Sequence, residues 1–323
     1  MNLQQLRYVR ETVRRNLNLT DAARALHTSQ PGVSKQIRDF ELELGVDVFE
    51  RHGRRFVALT PPGKELVGII DRILLEVDNL RRVGDNYAAG DSGRLTIATT
   101  HTQARYALPR VIAAFRESHP KVRLSLQQGN PSAVARWVMS GEADIGIATE
   151  SLDHIEELIA LPAYTWTHSV VIRPDHPLAR IRTLSLEAIA EYPIITYSKE
   201  FTGRSHIDQA FSACGLSPDI VLTAIDSDVI KTYVELGLGV GIIASLAFDP
   251  ERDRQLKCFE ADRLFPTNTT RVAIRRGAYL RDFTFAFIES FAADLTRQRV
   301  LDALHTRPAD DAEPVAGAGL AGR

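Results

Sequence analysis

The chain has 323 residues, of which 44% are hydrophobic and 25% charged, enough for two or three compact units of ordinary globular composition. It holds no run of about 18 apolar residues, its first residues lack the pattern of a signal peptide, and Cys214 and Cys258 stand alone without CxxC spacing. These features argue against a membrane protein, a disulfide framework or a structural zinc site, and make the cytoplasm the default compartment. The net charge is −2, yet residues 1–64 carry eleven Lys and Arg against seven Asp and Glu, so a basic start is joined to an acidic body, as suits a phosphate-binding segment.

Leu3, Leu6, Tyr8, Val9 and Val13 predict a first amphipathic helix. Thr20 is the expected cap of a second, with Ala22, Ala23 and Leu26 on one face. His27-Thr28-Ser29 breaks it, and Gln30-Pro31 opens a third, because a proline in the first turn has no N–H to waste. Val33, Ile37, Phe40 and Leu44 are its expected buried stripe. Two short helices joined by a tight polar break form a helix-turn-helix. Val48 to Arg51 and Arg55 to Leu59, around His52-Gly53-Arg54, then read as a basic wing. After Pro61-Pro62-Gly63 a long helix begins, and Leu66, Ile70, Ile73, Val77 and Leu80 recur at the spacing of a coiled-coil seam, which predicts a dimer. Gly84 to Gly93 reads as a linker.

From Arg94 strands and helices alternate. The strands are expected at 95–99, 122–126, 143–148, 169–172, 193–197, 220–223 and 240–244, and a last helix at 282–296. That order predicts an α/β fold of parallel, doubly wound sheets in two similar halves, with a ligand between them. Beyond Pro308 the Ala/Gly/Asp/Pro-rich tail is expected to be disordered.

On the outward side of the third helix, Gln30, Ser34, Lys35 and Arg38 offer amide, hydroxyl and cationic tips to base edges and phosphates. Arg51, Arg54 and Arg55 on the wing suit backbone or minor-groove contact. Thr99 to Gln103 gathers hydroxyls and an amide where a strand gives way to a helix, which reads as an anion site without fixed cationic charge. Thr149 follows another strand, and Thr202 approaches from the second half. His101 has no second metal ligand at suitable spacing, so no metal site is expected. Gly237-x-Gly239-x-Gly241 lies between a helix and a strand, the reverse of a dinucleotide loop. HExxH, GxSxG and P-loop patterns are absent, and Glu156 and Glu157 read as a solvated face.

The run Thr20 to Ile37, followed in register by Leu42-Glu43-Leu44-Gly45, Phe49-Glu50-Arg51 and Leu59-Thr60-Pro61-Pro62-Gly63, resembles the helix-turn-helix of LysR-type transcriptional regulators. Within that family the resemblance reaches regulators of sulfur assimilation and cysteine biosynthesis. It is carried by Ile97 to Pro109, Thr196-Tyr197, Phe201 to Ser205, Asp228 to Tyr233 and Gly237 to Ser245. The likeness covers roughly residues 1–300.

It implies a winged helix-turn-helix at 1–60, a dimerisation helix at 61–90, and an effector domain at 91–300 resembling periplasmic binding proteins. One subdomain comprises 91–163 and 267–300, the other 164–266, and 301–323 forms the tail. It implies operator contact from Thr28, Ser29, Gln30, Pro31, Ser34, Lys35, Arg38, Arg51, Arg54 and Arg55, and effector contact from Thr100, Thr102, Gln103, Thr149 and Thr202. The implied effector is acetylserine, sulfate or a related anion, with no cofactor, and the implied partners are promoter DNA, RNA polymerase and further copies in a dimer or tetramer. Effector binding between the halves would reorient them and, in a tetramer, respace the DNA-binding pairs. A paralogue governing sulfonate or organosulfur use shares almost every motif. A solute-binding or enzymatic α/β domain with an unrelated N-terminal appendage is the alternative from another class.

Overall fold

The computed structural model describes residues 1–53, 55–89 and 92–305. Arg54, and the tail beyond residue 305, lie outside the described residues. The chain divides into one unit of residues 1–87 and a second from residue 88 onward.

In the first unit, Asn2 and Gln5 exchange side-chain and backbone hydrogen bonds to cap α1 (Leu3–Arg14). Asn16 and Leu17 then take left-handed backbone conformations, which makes Asn18 the first extended residue. Asn18, rather than the expected Thr20, therefore caps α2 (Leu19–Ala25), accepting from the N–H groups of Thr20 and Asp21. Ser29 caps α3 (Gln30–Leu44) by accepting from Gly32 N–H, and Gly45 ends it at φ +73°. Leu44 was expected in the buried stripe but is exposed, because the inward face of α3 passes from Ile37 to Phe40 and Glu41. The Glu41 carboxylate is buried and accepts from the N–H groups of Val48 and Phe49 at 2.8 and 3.2 Å.

The wing is an antiparallel pair, β1 (Phe49–His52) and β2 (Arg55–Leu59), with Phe49 and Phe56 stacked at 4.4 Å. Thr60 then starts α4 (Pro61–Ala89): its hydroxyl donates to Asp47 C=O at 2.5 Å and accepts from Gly63 N–H at 2.9 Å. A side chain at position 63 would stand 2.1 Å from Val48 O, so this close approach of helix to wing requires glycine. Ile70 and Leu74 are buried in the unit's own core with Val9, Ile37 and Phe40. Leu66 and Ile73 pack beside them. Thus the first half of the expected dimer seam is used within the unit, whereas Leu80 and Tyr87 are 73% and 85% exposed. The expected linker from Gly84 is helical through Ala89.

The second unit runs β3 (Gly93–Thr99), a wide π-type turn at Gln103–Ala107, α5 (Leu108–Ser118), β4 (Val122–Gln128), α6 (Pro131–Ser140), β5 (Ile145–Thr149) and β6 (Leu158–Trp166). It continues with β7 (His168–Ile172), α7 (Leu186–Ala190), β8 (Ile194–Tyr197), α8 (Thr202–Ala213), β9 (Ile220–Ala224), α9 (Ser227–Glu235) and β10 (Val240–Ala244). Then come β11 (Lys257–Glu260), β12 (Asn268–Arg275), α10 (Asp282–Phe291) and α11 (Arg297–His305). The start of the expected tail, residues 301–305, is therefore helical.

Two five-stranded sheets result, ordered β4-β3-β5-β12-β6 and β11-β7-β10-β8-β9. Both are mixed rather than wholly parallel. β12 runs antiparallel to β5 and β6, and β7 antiparallel to β10 and β11. The chain crosses between sheets twice, at Thr167 and between β11 and β12, and each arriving strand enters its new sheet reversed. The remaining strands pair in parallel and carry helices on both faces, as the alternating pattern requires. Ile97, Ile145, Ile147, Phe115 and Phe287 fill one face of the first sheet, and Ala98, Val134 and Val138 the other. Ile194, Ile242 and Phe211, with Ile195, Ile230 and Val234, do the same for the second. Gly239 and Gly241 are packing residues, since a Cβ would meet Pro193 O at 2.3 Å and Val171 at 2.6 Å.

Candidate DNA interface and effector pocket

In the first unit, burying Val33, Ile37 and Phe40 fixes the rotation of α3. Gln30, Pro31, Lys35 and Arg38 are consequently exposed, as are Thr28 and Ser29 in the preceding turn, while Ser34 is half-buried. His27, at φ +50°, makes that turn tight, and Thr28 N–H closes it on Ala23 O at 2.9 Å. The face therefore presents hydroxyl, amide and cation over two helical turns. Arg55 is exposed on the wing. Arg51 is engaged differently: its guanidinium pairs with the buried Glu41 and with Asp47, and covers the Phe56 ring. That geometry ties the wing to α3.

In the second unit, Thr100, Thr102, Gln103, Thr149 and Thr202 line one pocket. They come from the end of β3, the end of β5 and the start of α8, so the two sheets present their strand ends to each other. The cavity is about 30 Å³, far below the roughly 300–1,000 Å³ of sites for drug-sized ligands. Thr149 Oγ1 and Thr202 Oγ1, one from each half, hydrogen-bond across it at 2.6 Å. Gln103 is buried; its amide donates to Thr270 Oγ1 at 3.1 Å and accepts from the Tyr164 hydroxyl. Thr102 bonds the Tyr197 hydroxyl, which also accepts from Ala244 N–H at 2.8 Å and pairs with Ser227 at 2.7 Å. Burial pushes the Tyr197 phenol above its ordinary value, so it stays neutral.

Among the described residues, six others line the wall, and one of them, Trp166, carries no sequence signature. Trp166 lines the pocket with an indole N–H that is buried and lacks a partner among the described residues. Pro131, Tyr197, Phe201, Gly203 and Ala244 complete the wall. Trp166 ends β6, a strand that the alternating pattern does not reveal, so nothing in the sequence placed it here. The start of α8 has no side-chain cap, so the N–H groups of Thr202 and Gly203, both pocket-lining residues, are not satisfied by one. The helix expected after β3 does start there: His101 and Thr102 are helical and Ala104 N–H bonds Thr100 O at 3.0 Å, and the run then widens into the π-type turn before α5. No lining residue is charged. Nearby Arg204 is buried, but it is committed to Tyr197 O at 2.9 Å and Asp208 at 2.7 Å. His168, behind Trp166, has its pKa pushed down to about 3 by burial and then by His206, and is neutral.

Such a pocket can hold a small anion by neutral donors and a helix N-terminus. A helix-turn-helix with a polar outward face, carried on one chain with such a ligand-binding domain, defines a ligand-responsive DNA-binding regulator. Residues 3–64 match the family described as bacterial regulatory helix-turn-helix protein, lysR family, and residues 88–296 match the LysR substrate binding domain. The chain belongs to the LysR family of transcriptional regulators. It is 55% identical over 300 residues to the HTH-type transcriptional regulator SsuR of Burkholderia cenocepacia, covering 93% of this chain and 97% of that one. It is 54% identical over 304 residues to CysB of the same organism, covering 94% and 97%. The crystal structure of the cofactor-binding domain of the Cbl transcriptional regulator superposes with a TM-score of 0.64 at 48% identity, covering 67% of this chain and 95% of that one.

Proposed function

We propose that this protein regulates transcription of sulfur-assimilation genes in the cytoplasm. It reads an operator through α3 and the wing, and senses sulfate or a related anion, and acetylserine, between the halves of its second unit. The observation that carries the sensing role is the convergence of Thr100, Thr102, Gln103, Thr149 and Thr202 on one uncharged pocket beside the uncapped start of α8. At about 30 Å³ the cavity is closer in size to a small tetrahedral anion than to acetylserine. Acetylserine requires the halves to separate, so the two ligands favour different arrangements, and that difference is what an effector needs to shift an equilibrium.

Base-edge contact falls to Gln30 and Ser34, shared contact to Lys35, and phosphate contact to Thr28, Ser29, Arg38, Arg54 and Arg55; Pro31, with no N–H to donate, contributes by packing against the DNA backbone. Arg51 supports the wing. Dimerisation uses the distal part of α4, around Leu80 and Tyr87, and the protein acts on RNA polymerase as an activator rather than on a substrate as an enzyme. Calorimetric titration of sulfate and acetylserine into the full-length protein tests the pocket. Genome-wide mapping of occupied sites, with and without sulfur starvation, tests the regulon and separates sulfate assimilation from sulfonate use. If the folded protein binds neither ligand and its occupancy ignores sulfur supply, the sulfur role is wrong.

A further inference from the structure

His101 stands between the pocket residues Thr100 and Thr102, and its sequence neighbours offer it no partner. The fold supplies two from more than a hundred residues away. Asp226 and Asp228, at the start of α9 in the second half, bring their carboxylates to it, and one donor atom from each of the three residues lies within 4.8 Å of the other two. His101 Nδ1 is shielded from solvent and has no hydrogen-bond partner among the described residues. The spacing is too wide for direct pairing and narrow enough for one shared atom. A central atom would lie within about 2.8 Å of each donor, and zinc bonds to nitrogen and oxygen of about 2.0–2.2 Å need under an ångström of movement from each side chain.

The charges differ between the two carboxylates. Asp228 accepts from the Tyr106 hydroxyl at 2.6 Å and pairs with Lys231 at 3.3 Å and Arg105 at 3.4 Å. Asp226 caps α9 through Val229 N–H at 2.8 Å, and no cation pairs with it among the described residues. The uncompensated negative charge therefore sits on Asp226, opposite an unpartnered imidazole nitrogen. Imidazole with carboxylates is a donor set for zinc, nickel and similar ions, with water filling the remaining positions.

We propose that His101, Asp226 and Asp228 form a divalent transition-metal site that joins the two halves of the effector domain beside the anion pocket. Arg105 and Lys231 keep its affinity below that of a closed structural zinc site. An ion held there favours the arrangement in which its ligands meet, and so biases the same equilibrium as the effector. The site does not depend on which effector the pocket takes.

The test uses full-length protein stripped with chelator. Co²⁺ binding is followed by its visible absorption, Zn²⁺ is counted by equilibrium dialysis, and thermal unfolding is recorded with and without Zn²⁺. His101→Ala and Asp226→Asn are compared with wild type, the second chosen because Asn still caps α9; Cys214→Ser/Cys258→Ser controls for thiolate binding. Wild type and the cysteine variant are expected to bind one equivalent and to unfold at a higher temperature with Zn²⁺. His101→Ala and Asp226→Asn, folded by circular dichroism, should bind at least about tenfold more weakly and lose the thermal shift. Less than one equivalent on wild type, unchanged binding in both ligand variants, or loss of binding in the cysteine variant would overturn the proposal.

Discussion

Replacing Thr202 with valine tests whether the pocket couples ligand binding to closure. The substitution keeps the side-chain shape and removes a hydroxyl that meets Thr149 Oγ1 at 2.6 Å. Thr149 is 8% exposed, so in the closed arrangement its own hydroxyl loses its partner without gaining water. Leaving a buried polar group unsatisfied costs about 1–3 kcal/mol. The two threonines belong to different halves, so this cost falls on the closed arrangement alone and lowers its weight roughly 5- to 150-fold. A ligand that binds the closed form also loses a charge-assisted bond from Thr202, and sulfate affinity should drop tenfold or more.

Calorimetry of sulfate into full-length Thr202→Val, Thr149→Val and the double variant gives the complete cycle. The double variant removes both partners, which for closure is nearly neutral, so closure recovers while binding does not. Thermal stability should change little, because the cores of both halves lie elsewhere. Should both single variants, folded, bind sulfate within twofold of wild type, the hydroxyls are not ligand contacts and the coupling argument fails.

Gln30→Ala and Ser34→Ala should each weaken operator binding by about 1–3 kcal/mol while sparing non-specific affinity; Arg55→Ala should weaken all DNA binding and flatten its salt dependence. Gel shifts across a salt series separate the two, and an intact operator preference in both α3 variants would contradict the groove assignment. Glu41→Ala should cost about 1–3 kcal/mol in the first unit by leaving the Val48 and Phe49 N–H groups unsatisfied, while Arg51 keeps Asp47, as measured by urea unfolding followed on that unit. Leu80→Asp, at a position 73% exposed, should yield smaller species in sedimentation without unfolding, whereas Ile73→Asp should also disturb the core it packs against.

His168 binds a proton in the unfolded chain near pH 6.5 but in the fold only near pH 3. Its folded pKa is depressed, so the stability it contributes is present above pH 6.5 and is lost as the pH falls toward 3. Acidifying to pH 5 should cost about 2 kcal/mol through this group; the pH slope of urea midpoints should flatten in His168→Gln, and an unchanged slope would show that another group governs it.

The elements most legible in the sequence were those whose local chemistry is complete within a few residues. Ser29 with Pro31, Val33 and Ile37 defines the start and inward face of α3 without outside help, and the alternating strands up to β5 read cleanly. Elements that depend on distant partners were harder. β6 and β12 pair with each other over their whole length, from positions more than a hundred residues apart, and their antiparallel direction follows from the two crossovers rather than from any residue pattern. Ile70 satisfies a coiled-coil spacing and a core position equally well, and only the packed wing shows which one it occupies. The five residues proposed for the effector were legible because each is a polar side chain near a strand end or helix start and matches the family pattern. Trp166 was not, because its place in the wall depends on β6, which the alternating pattern does not reveal.

On the proposed reading, the pocket residues also explain how a small ligand moves so large a domain. The halves are joined by two crossovers, and the contacts between them are largely polar, among them Thr149 to Thr202, Asn130 to Glu200 at 3.0 Å, His206 to Glu150 at 3.8 Å, Arg105 to Asp228 at 3.4 Å, Thr102 to Tyr197, and Tyr106 to Asp228 and Lys231. Most of these are partly solvated, and such contacts are worth about 0–1 kcal/mol each. Their sum is within reach of one anion that forms several charge-assisted bonds. A hydrophobic interface of the same extent would fix the halves in place and leave the ligand nothing to decide. The uncharged walls have a matching consequence: a resident arginine in the pocket would be an internal counter-ion that draws the halves together with or without ligand, whereas hydroxyls and backbone N–H groups reward closure most when an anion lies between them. On the proposed reading, sensing in this domain therefore depends on the absence of a fixed cation from the pocket as much as on the donors it contains.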